Sequence, residues 1–183
     1  MTRIIAPSAV GSLKKNLSPG RLVIPDQFID RTKSRPSTFY DGGQIAHVST
    51  ADPFCPELRK IALDVGRSLK LQPHDGGTHI CIEGPRFSTR AESKMFRQWG
   101  ADIIGMTIVP ECVLSREAEI CYVNVATITD YDAWTDEPVS TEAIIETLHK
   151  NVEKTKNTLA RMISKIPKKR SCGCKNALKG ASY

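Results

Sequence analysis

The chain has 183 residues, 40% of them apolar and 25% charged, with a formal net charge of +6. That is enough for one domain with a sizeable core; no apolar run approaches the ~20 residues of a membrane span, and residues 1–6 are too short for a secretory segment, so a cytoplasmic protein is expected. Ten Lys or Arg against one Glu lie from Lys150 onward, leaving the rest of the chain near −3, so the charge marks a basic last helix and tail rather than a nucleic-acid surface.

Residues 3–8 read as a short buried strand. Ser8, Ala9, Val10, Gly11 and Ser12 read as the loop at its end, small enough for backbone N–H groups to approach a ligand. Pro19-Gly20 marks a turn, and Leu22, Val23 and Ile24 build a strand over 21–25. Residues 26–41 read as a charged connection anchored by Phe39 and Tyr40, and residues 44–49 as a strand carrying His47. Asp52-Pro53-Phe54-Cys55-Pro56 opens a helix, where Leu58, Ile61, Ala62, Val65 and Leu69 follow the 3.6-residue period. A polar link over 72–77 precedes a strand at 79–82. Thr89-Arg90-Ala91-Glu92 has capping-box spacing, with Ala91, Met95, Phe96 and Trp99 as the buried stripe and Gly100 as the stop.

Residues 103–106 form the next strand, and Pro110 begins the next helix. Residues 121–129, β-branched and nearly all apolar, read as a central parallel strand. After Asp136-Glu137-Pro138 a long helix is capped by Ser140, with Val139 and Ile144 at hydrophobic-staple spacing. Ile144, Leu148, Val152, Leu159, Ile163 and Ile166 carry its inner face, and Pro167 ends it. The boundaries give an α/β domain over 1–167 and a loose basic tail over 168–183.

Chemistry concentrates between Thr78 and Asp132. Three times an apolar strand runs into a turn with Gly, Pro or Asp and then a helix start, so three loops are expected to share one sheet edge and one pocket. Asp130 and Asp132 stand two apart at a strand end, where mutual repulsion should raise one pKa and supply a general acid for a departing heterocycle. Cys81 and Cys112 read as buried reduced thiols. Cys172-Gly173-Cys174 offers two ligands of a zinc site, and with no second Cys or His pair nearby in sequence no metal is expected. No Gly-x-Gly-x-x-Gly follows a strand, which disfavours a Rossmann dehydrogenase.

Five strings in order carry a resemblance: Ser8-Ala9-Val10-Gly11-Ser12-Leu13, Asp26-Gln27-Phe28-Ile29-Asp30-Arg31-Thr32, Glu83-Gly84-Pro85-Arg86-Phe87-Ser88-Thr89-Arg90-Ala91-Glu92, Met106-Thr107-Ile108-Val109-Pro110-Glu111 and Thr129-Asp130-Tyr131-Asp132. Over about residues 4–166 the chain resembles the methylthioadenosine phosphorylases, within the purine nucleoside phosphorylase family. The resemblance implies a three-layer α/β/α fold with a mixed, largely parallel central sheet, lacking the family's first strands. It implies phosphorolysis of S-methyl-5'-thioadenosine to adenine and 5-methylthioribose 1-phosphate, with inorganic phosphate as co-substrate and no other cofactor. It also implies a homotrimer or homohexamer.

On the matching positions, Asp130 faces the purine N7 and amino edge, and Asp132 supports it. Phe87 stacks on the base, and Met106 lies against the ribose with Ile104 and Gly105 beside it. Ser8, Ala9, Val10 and Gly11 frame sugar and phosphate, and Thr107 binds phosphate with Ser8 and Ala9. Thr141, Ile144 and Ile145 contact the methylthio end, and His47 serves the neighbouring subunit's site. Relatives selective for 6-oxopurines place Asn at Asp130 and Glu at Ser88, so adenine nucleosides are favoured, with breadth of base open. Heat-adapted members pair cysteines at positions like Cys55 and Cys121 in a disulfide and carry a comparable Cys-x-Cys.

Relatives begin with roughly eighty or ninety more residues, which hold the Gly-rich loop and the Arg-His-Gly segment that grip phosphate. The chain therefore reads as N-terminally truncated relative to the family. Three readings follow: a fragment of a working enzyme, a weakly active or inactive nucleoside-binding remnant or assembly subunit, or a chain completed by another. A broader purine nucleoside phosphorylase is the further alternative.

Overall fold

The structure is a computed structural model that describes residues 1–40, 42–136 and 140–181. The staple expected at Val139, and Glu137 and Pro138 before it, lie outside the described residues. The elements are β1 (Arg3–Ser12), β2 (Leu22–Ile24), β3 (Gln27–Arg31), α1 (Pro56–Ser68), β4 (His74–Asp75), β5 (Thr78–Ile82), α2 (Arg90–Gln98), β6 (Ile103–Gly105), α3 (Ile108–Glu117), β7 (Cys121–Asp130) and α4 (Thr141–Lys165), with short 3-10 turns at Asp132–Trp134 and Gly173–Asn176.

The seven strands form one sheet in the order β3-β5-β6-β1-β7-β2-β4. Four neighbouring pairs run parallel, and β1–β6 and β2–β7 run antiparallel, so the sheet is mixed and largely parallel as expected. β7 is the strand the rest packs around, buried along all but its last residue. Its Cys121, Val123 and Val125 meet Leu58, Ala62 and Val65 of α1 and Met162 of α4. Tyr122 points the other way, into Ile108, Val109 and Cys112 of α3. The period-2 alternation of one strand thus separates two helix layers. Each fully buried Val or Ile contributes roughly 1.5–3 kcal/mol.

Several expectations needed tertiary correction. β1 does not stop at Ser8: pairing with β7 carries it through Ser12, so Ser8, Ala9, Val10 and Gly11 are strand rather than loop. Nor is its first part buried, since Pro7 and Ala9 are exposed. β3 lies inside the supposed connection, because only Phe28 and Ile29 break a charged stretch, and β4 is a two-residue ladder too short for any pattern. Residues 44–49 form no strand; only Ala46 makes a bridge. In α2 the buried residues are Ser93 and Phe96, while Ala91 is exposed and Trp99 is 47% exposed, with Arg31 stacked 5.5 Å from its ring centroid.

In α4 the buried line is Asn151, Thr158 and Met162, one position N-terminal to the expected Val152, Leu159 and Ile163. Thr158 can be buried because its hydroxyl donates to Lys154 O at 2.8 Å. The tail is not loose. Arg170 donates to Glu119 O at 2.5 Å, Ser171 Oγ to Glu57 Oε1 at 2.5 Å, and Leu178 N to Glu119 Oε1 at 3.1 Å.

All six cysteines are free, so the Cys55–Cys121 disulfide is not formed. Cys81 and Cys112 are buried as expected, and burial pushes the Cys112 thiol up to about 12. The pair that Cys172 and Cys174 lack in sequence is supplied in space by Cys55 and Cys121.

Beside the site, His79 is fully buried, and desolvation lowers its pKa from 6.5 to about 4. Its Nδ1 pairs with Asn124 Oδ1 at 3.2 Å, and Asn124 Nδ2 donates to Ala6 O and Ser8 Oγ. The carboxamide oxygen can only accept, so Nδ1 carries the proton and Nε2 is bare. Below pH 6.5 the unfolded chain binds a proton that the folded one refuses, so stability falls as pH drops towards 4. Urea unfolding should show roughly 2 kcal/mol less stability at pH 5 than at pH 7 from this group. His79→Gln should flatten that difference; an unchanged profile would contradict it.

Candidate active site

A cavity of about 220 Å³ opens where the ends of β5, β6 and β7 meet the last third of β1. Its lining includes Ala9, Val10, Gly11, Phe87, Ile104, Gly105, Met106, Thr107, Asp130, Asp132 and Ile144, all named from the sequence. Ile82, Ser88 and Thr129 join them. Ser8 lies outside, in an adjoining groove that shares Ala9 and Thr129 with the cavity. Thr141 and Ile145 sit exposed on the first turns of α4 and do not line it. His47 is exposed on another segment, its backbone N–H donating to Ala181 O at 2.7 Å. A slightly larger cleft of about 270 Å³ adjoins the site, and its wall carries Arg31, Lys33, Glu83, Arg86 and Glu92, of which Arg86 and Glu92 pair with each other.

Asp130 owes its position to a register shift. β1 and β7 pair residue by residue up to Val10 with Ile128; the register then slips and Gly11 faces Asp130. Thr129 is the extra residue, as in a bulge that re-aims a side chain. A Cβ on Gly11 would stand 3.0 Å from Asp130 Oδ1, so only glycine leaves the carboxylate its place. Asp130 Oδ1 accepts from Asp132 N at 2.7 Å, and Oδ2 from Thr129 Oγ1 at 2.8 Å.

Asp132 does not share Asp130's direction through strand alternation, since β7 has ended. It starts a 3-10 turn in the left-handed region, φ 49°, and is 5% exposed. Burial lifts its carboxyl above its ordinary value and outweighs the lowering contacts from Ser93 and Ala133 N, with a smaller lift from the charge of Asp130. The raised member of the pair is therefore Asp132. The turn is pinned by Trp134 Nε1 donating to Ser12 O at 2.7 Å, and by Arg90 donating to Thr135 O and Asp136 O.

The loop that presents Phe87 is held by the capping box. Thr89 Oγ1 accepts from Glu92 N and Glu92 Oε2 from Thr89 N, while Arg86 grips both Glu92 oxygens at 2.7 Å. The Arg86 guanidinium and these N–H contacts hold Glu92 down at about 2. Phe87 remains 42% exposed at the mouth. Thr107 precedes α3, yet its side chain caps nothing and is exposed beside the cavity, just ahead of a kink at Val109 and of Pro110, which has no N–H to offer.

Sequence reasoning missed Arg35. Its guanidinium donates to Met106 O at 2.6 Å, to Glu83 O at 2.8 Å and to Val109 O, and it pairs with Glu83 Oε1 at 3.8 Å. One side chain thus ties the loop after β5 to the loop after β6. Nothing in the stretch around Arg35 marks it, because its partners are main-chain carbonyls 47–74 positions away.

The sheet is mixed, and its strand-end cavity is lined by two carboxylates and an aromatic; the sequence profile of the phosphorylase superfamily matches residues 1–164. The chain belongs to that family. It is 57% identical to the S-methyl-5'-thioadenosine phosphorylase of Nitrosopumilus maritimus over 183 residues, covering 100% of this chain and 70% of that one. Among solved structures, a methylthioadenosine phosphorylase from an antarctic soil metagenomic library superposes with TM-score 0.93 at 43% identity, over 99% of this chain and 65% of that one. The Schistosoma mansoni methylthioadenosine phosphorylase in complex with adenine gives TM-score 0.85 at 34% identity, over 89% of this chain and 64% of that one. The chain thus spans between 64% and 70% of the length of these relatives. Among the described residues no helix is long and apolar enough to cross a membrane.

Proposed function

We propose that the chain builds the nucleoside-binding part of an S-methyl-5'-thioadenosine phosphorylase. A phosphate oxygen bonds to the ribosyl C1′, the C1′–N9 bond breaks, and adenine leaves with a proton on N7. The observation that carries this reading is the Asp130–Asp132 pair on the cavity floor, one member of which burial holds towards its neutral form. A carboxyl pushed in that direction is the kind of group that can hand a proton to a departing base.

Asp130 meets N7 and the 6-amino group, with Asp132 supporting it as the proton-holding partner. Phe87 stacks on the base from the mouth. Met106, Ile104, Gly105, Val10 and Gly11 wall the ribose, and Ile144 faces the methylthio group with Thr141 and Ile145 next to it on α4. An apolar wall there suits a thioether better than a hydroxyl. Thr107 receives inorganic phosphate, the co-substrate, with Ser8 and Ala9 on β1. The six free thiols suit a reducing, cytoplasmic setting. The protein assembles as a homotrimer or homohexamer in which His47 serves a neighbouring site. Exposed Phe39 and Ile45 on the same segment support that, and light scattering that returns a monomer would remove it.

One observation favours a second reading, binding without turnover: among the described lining residues there is no Lys or Arg to neutralise a reacting phosphate. The deciding experiment is phosphate-dependent adenine release from methylthioadenosine, with the Nitrosopumilus maritimus enzyme as positive control. Release by this chain supports the phosphorylase; adenine binding without release supports the second reading; neither binding nor release sinks both. Gly11→Ala should crowd Asp130 by a methyl group and lower turnover, or adenine affinity, on the order of 100-fold with the circular-dichroism spectrum unchanged. Retained function would mean that the carboxylate need not sit there.

A further inference from the structure

Far from the cavity, the thiol sulfurs of Cys55, Cys121, Cys172 and Cys174 all lie within 4.8 Å of one another, and all four residues are buried. Cys121 and Asp130 are the two ends of β7, so nine residues of extended chain, roughly 30 Å, separate this cluster from the carboxylates. Three separate pieces of chain meet here. Cys55 is the N-cap of α1, Cys121 the first residue of β7, and Cys172 and Cys174 flank Gly173 in the 3-10 turn after α4.

Each piece is fixed independently of the sulfurs. Cys55 N donates to Tyr122 O at 2.8 Å and Cys121 N to Thr2 O at 3.1 Å, and the tail is held through Arg170, Ser171 and Leu178. Cys121 Sγ and Cys172 Sγ stand 3.4 Å apart, well beyond the ~2.05 Å of a disulfide. That separation is close instead to the ~3.8 Å between sulfurs that share a tetrahedral ion with metal–sulfur bonds of ~2.3 Å.

We propose that Cys55, Cys121, Cys172 and Cys174 form a closed tetrathiolate zinc site that staples the C-terminal tail to the starts of α1 and β7. Four sulfur donors select a soft or borderline ion over magnesium or calcium, and a full set of four protein ligands marks a structural rather than a catalytic centre. Binding exchanges the thiol protons for the metal, so uptake releases protons and strengthens with pH. The segment that carries Cys172 is itself basic, with Lys168, Lys169 and Arg170 preceding it in the chain. This proposal is independent of the nucleoside reaction.

The test is zinc titration of the full, reduced chain against a chromophoric chelator, with metal counted by native mass spectrometry and cobalt substitution as a spectroscopic probe. The expected result is one zinc per chain, the visible bands of a tetrahedral tetrathiolate cobalt centre, and a melting temperature that falls on chelation and recovers with zinc. Cys174→Ser should lose the metal, whereas Cys112→Ser, outside the cluster, should keep it. Should Cys174→Ser fail to fold, the cobalt spectrum of the unaltered chain still decides. A reduced chain that takes up no metal overturns the proposal, whether its native thiols prove free or paired as disulfides. So does metal that binds without sulfur-to-cobalt charge-transfer bands.

Discussion

Asp130→Asn should lower the turnover of methylthioadenosine on the order of 10²–10³-fold while leaving adenine affinity within about threefold. The asymmetry comes from what an amide can and cannot do. Its oxygen accepts from the 6-amino group and its NH₂ donates to N7, the bidentate pairing by which Asn reads adenine, so the neutral base is still held. An amide N–H is too weak an acid to pass on the proton that Asp132 holds as the C1′–N9 bond breaks.

The fold should tolerate the change. One carboxamide atom still accepts from Asp132 N, and Thr129 Oγ1 has a second acceptor in Val10 O at 3.2 Å. Asp132→Asn should lower turnover too, yet leave stability unchanged or slightly higher, because it removes a carboxylate whose ionisation burial opposes. Steady-state kinetics with calorimetric adenine binding reads the split. Unchanged kinetics in Asp130→Asn, or equal loss of binding and turnover, would take the acid role from this pair.

The second large effect falls on Arg35. Arg35→Ala strands the carbonyls of Glu83, Met106 and Val109 that its guanidinium serves, in a partly buried setting. Hydrogen bonds to a charged group are each worth roughly 1.5–3 kcal/mol, and water can re-solvate part of the loss, so a net destabilisation of about 2–4 kcal/mol is expected in urea unfolding. Function should suffer beyond stability, since the loops released carry Phe87 on one side and Met106 and Thr107 on the other. The nucleoside KM should rise more than kcat falls. Arg35→Lys should restore the charge but not the fork that reaches separate carbonyls, giving only partial recovery. Full recovery by Lys would show that charge alone matters there.

Arg35 also shows where local pattern stops. β7 was legible because continuous burial leaves a nearly continuous apolar run rich in β-branched residues, and α2 because its capping box is written within four residues. The cavity was largely legible for the same reason: each of its loops follows a recognisable strand, and its residues sit in long, ordered strings. Ser8, Thr141 and Ile145 were placed in it by the resemblance and lie outside it, because a resemblance says which segment is near a ligand and not which way each side chain turns. β3, β4, the rotation of α4 and the docked tail depend on partners far along the chain, and no local period encodes them.

The amino-acid order alone determined the family, through the strings that carry its resemblance, and the strand-turn-helix loops, which the 2.0 and 3.6 periods write directly; the carboxylate pair is a two-residue spacing read off the chain. Tertiary structure alone decided the register slip that turns Asp130 toward Gly11, the burial that makes Asp132 the raised carboxyl, the reach of Arg35 across two loops, and the meeting of four distant thiols. Each of these is a distance or a desolvation between segments whose separation in sequence carries no information about their separation in space.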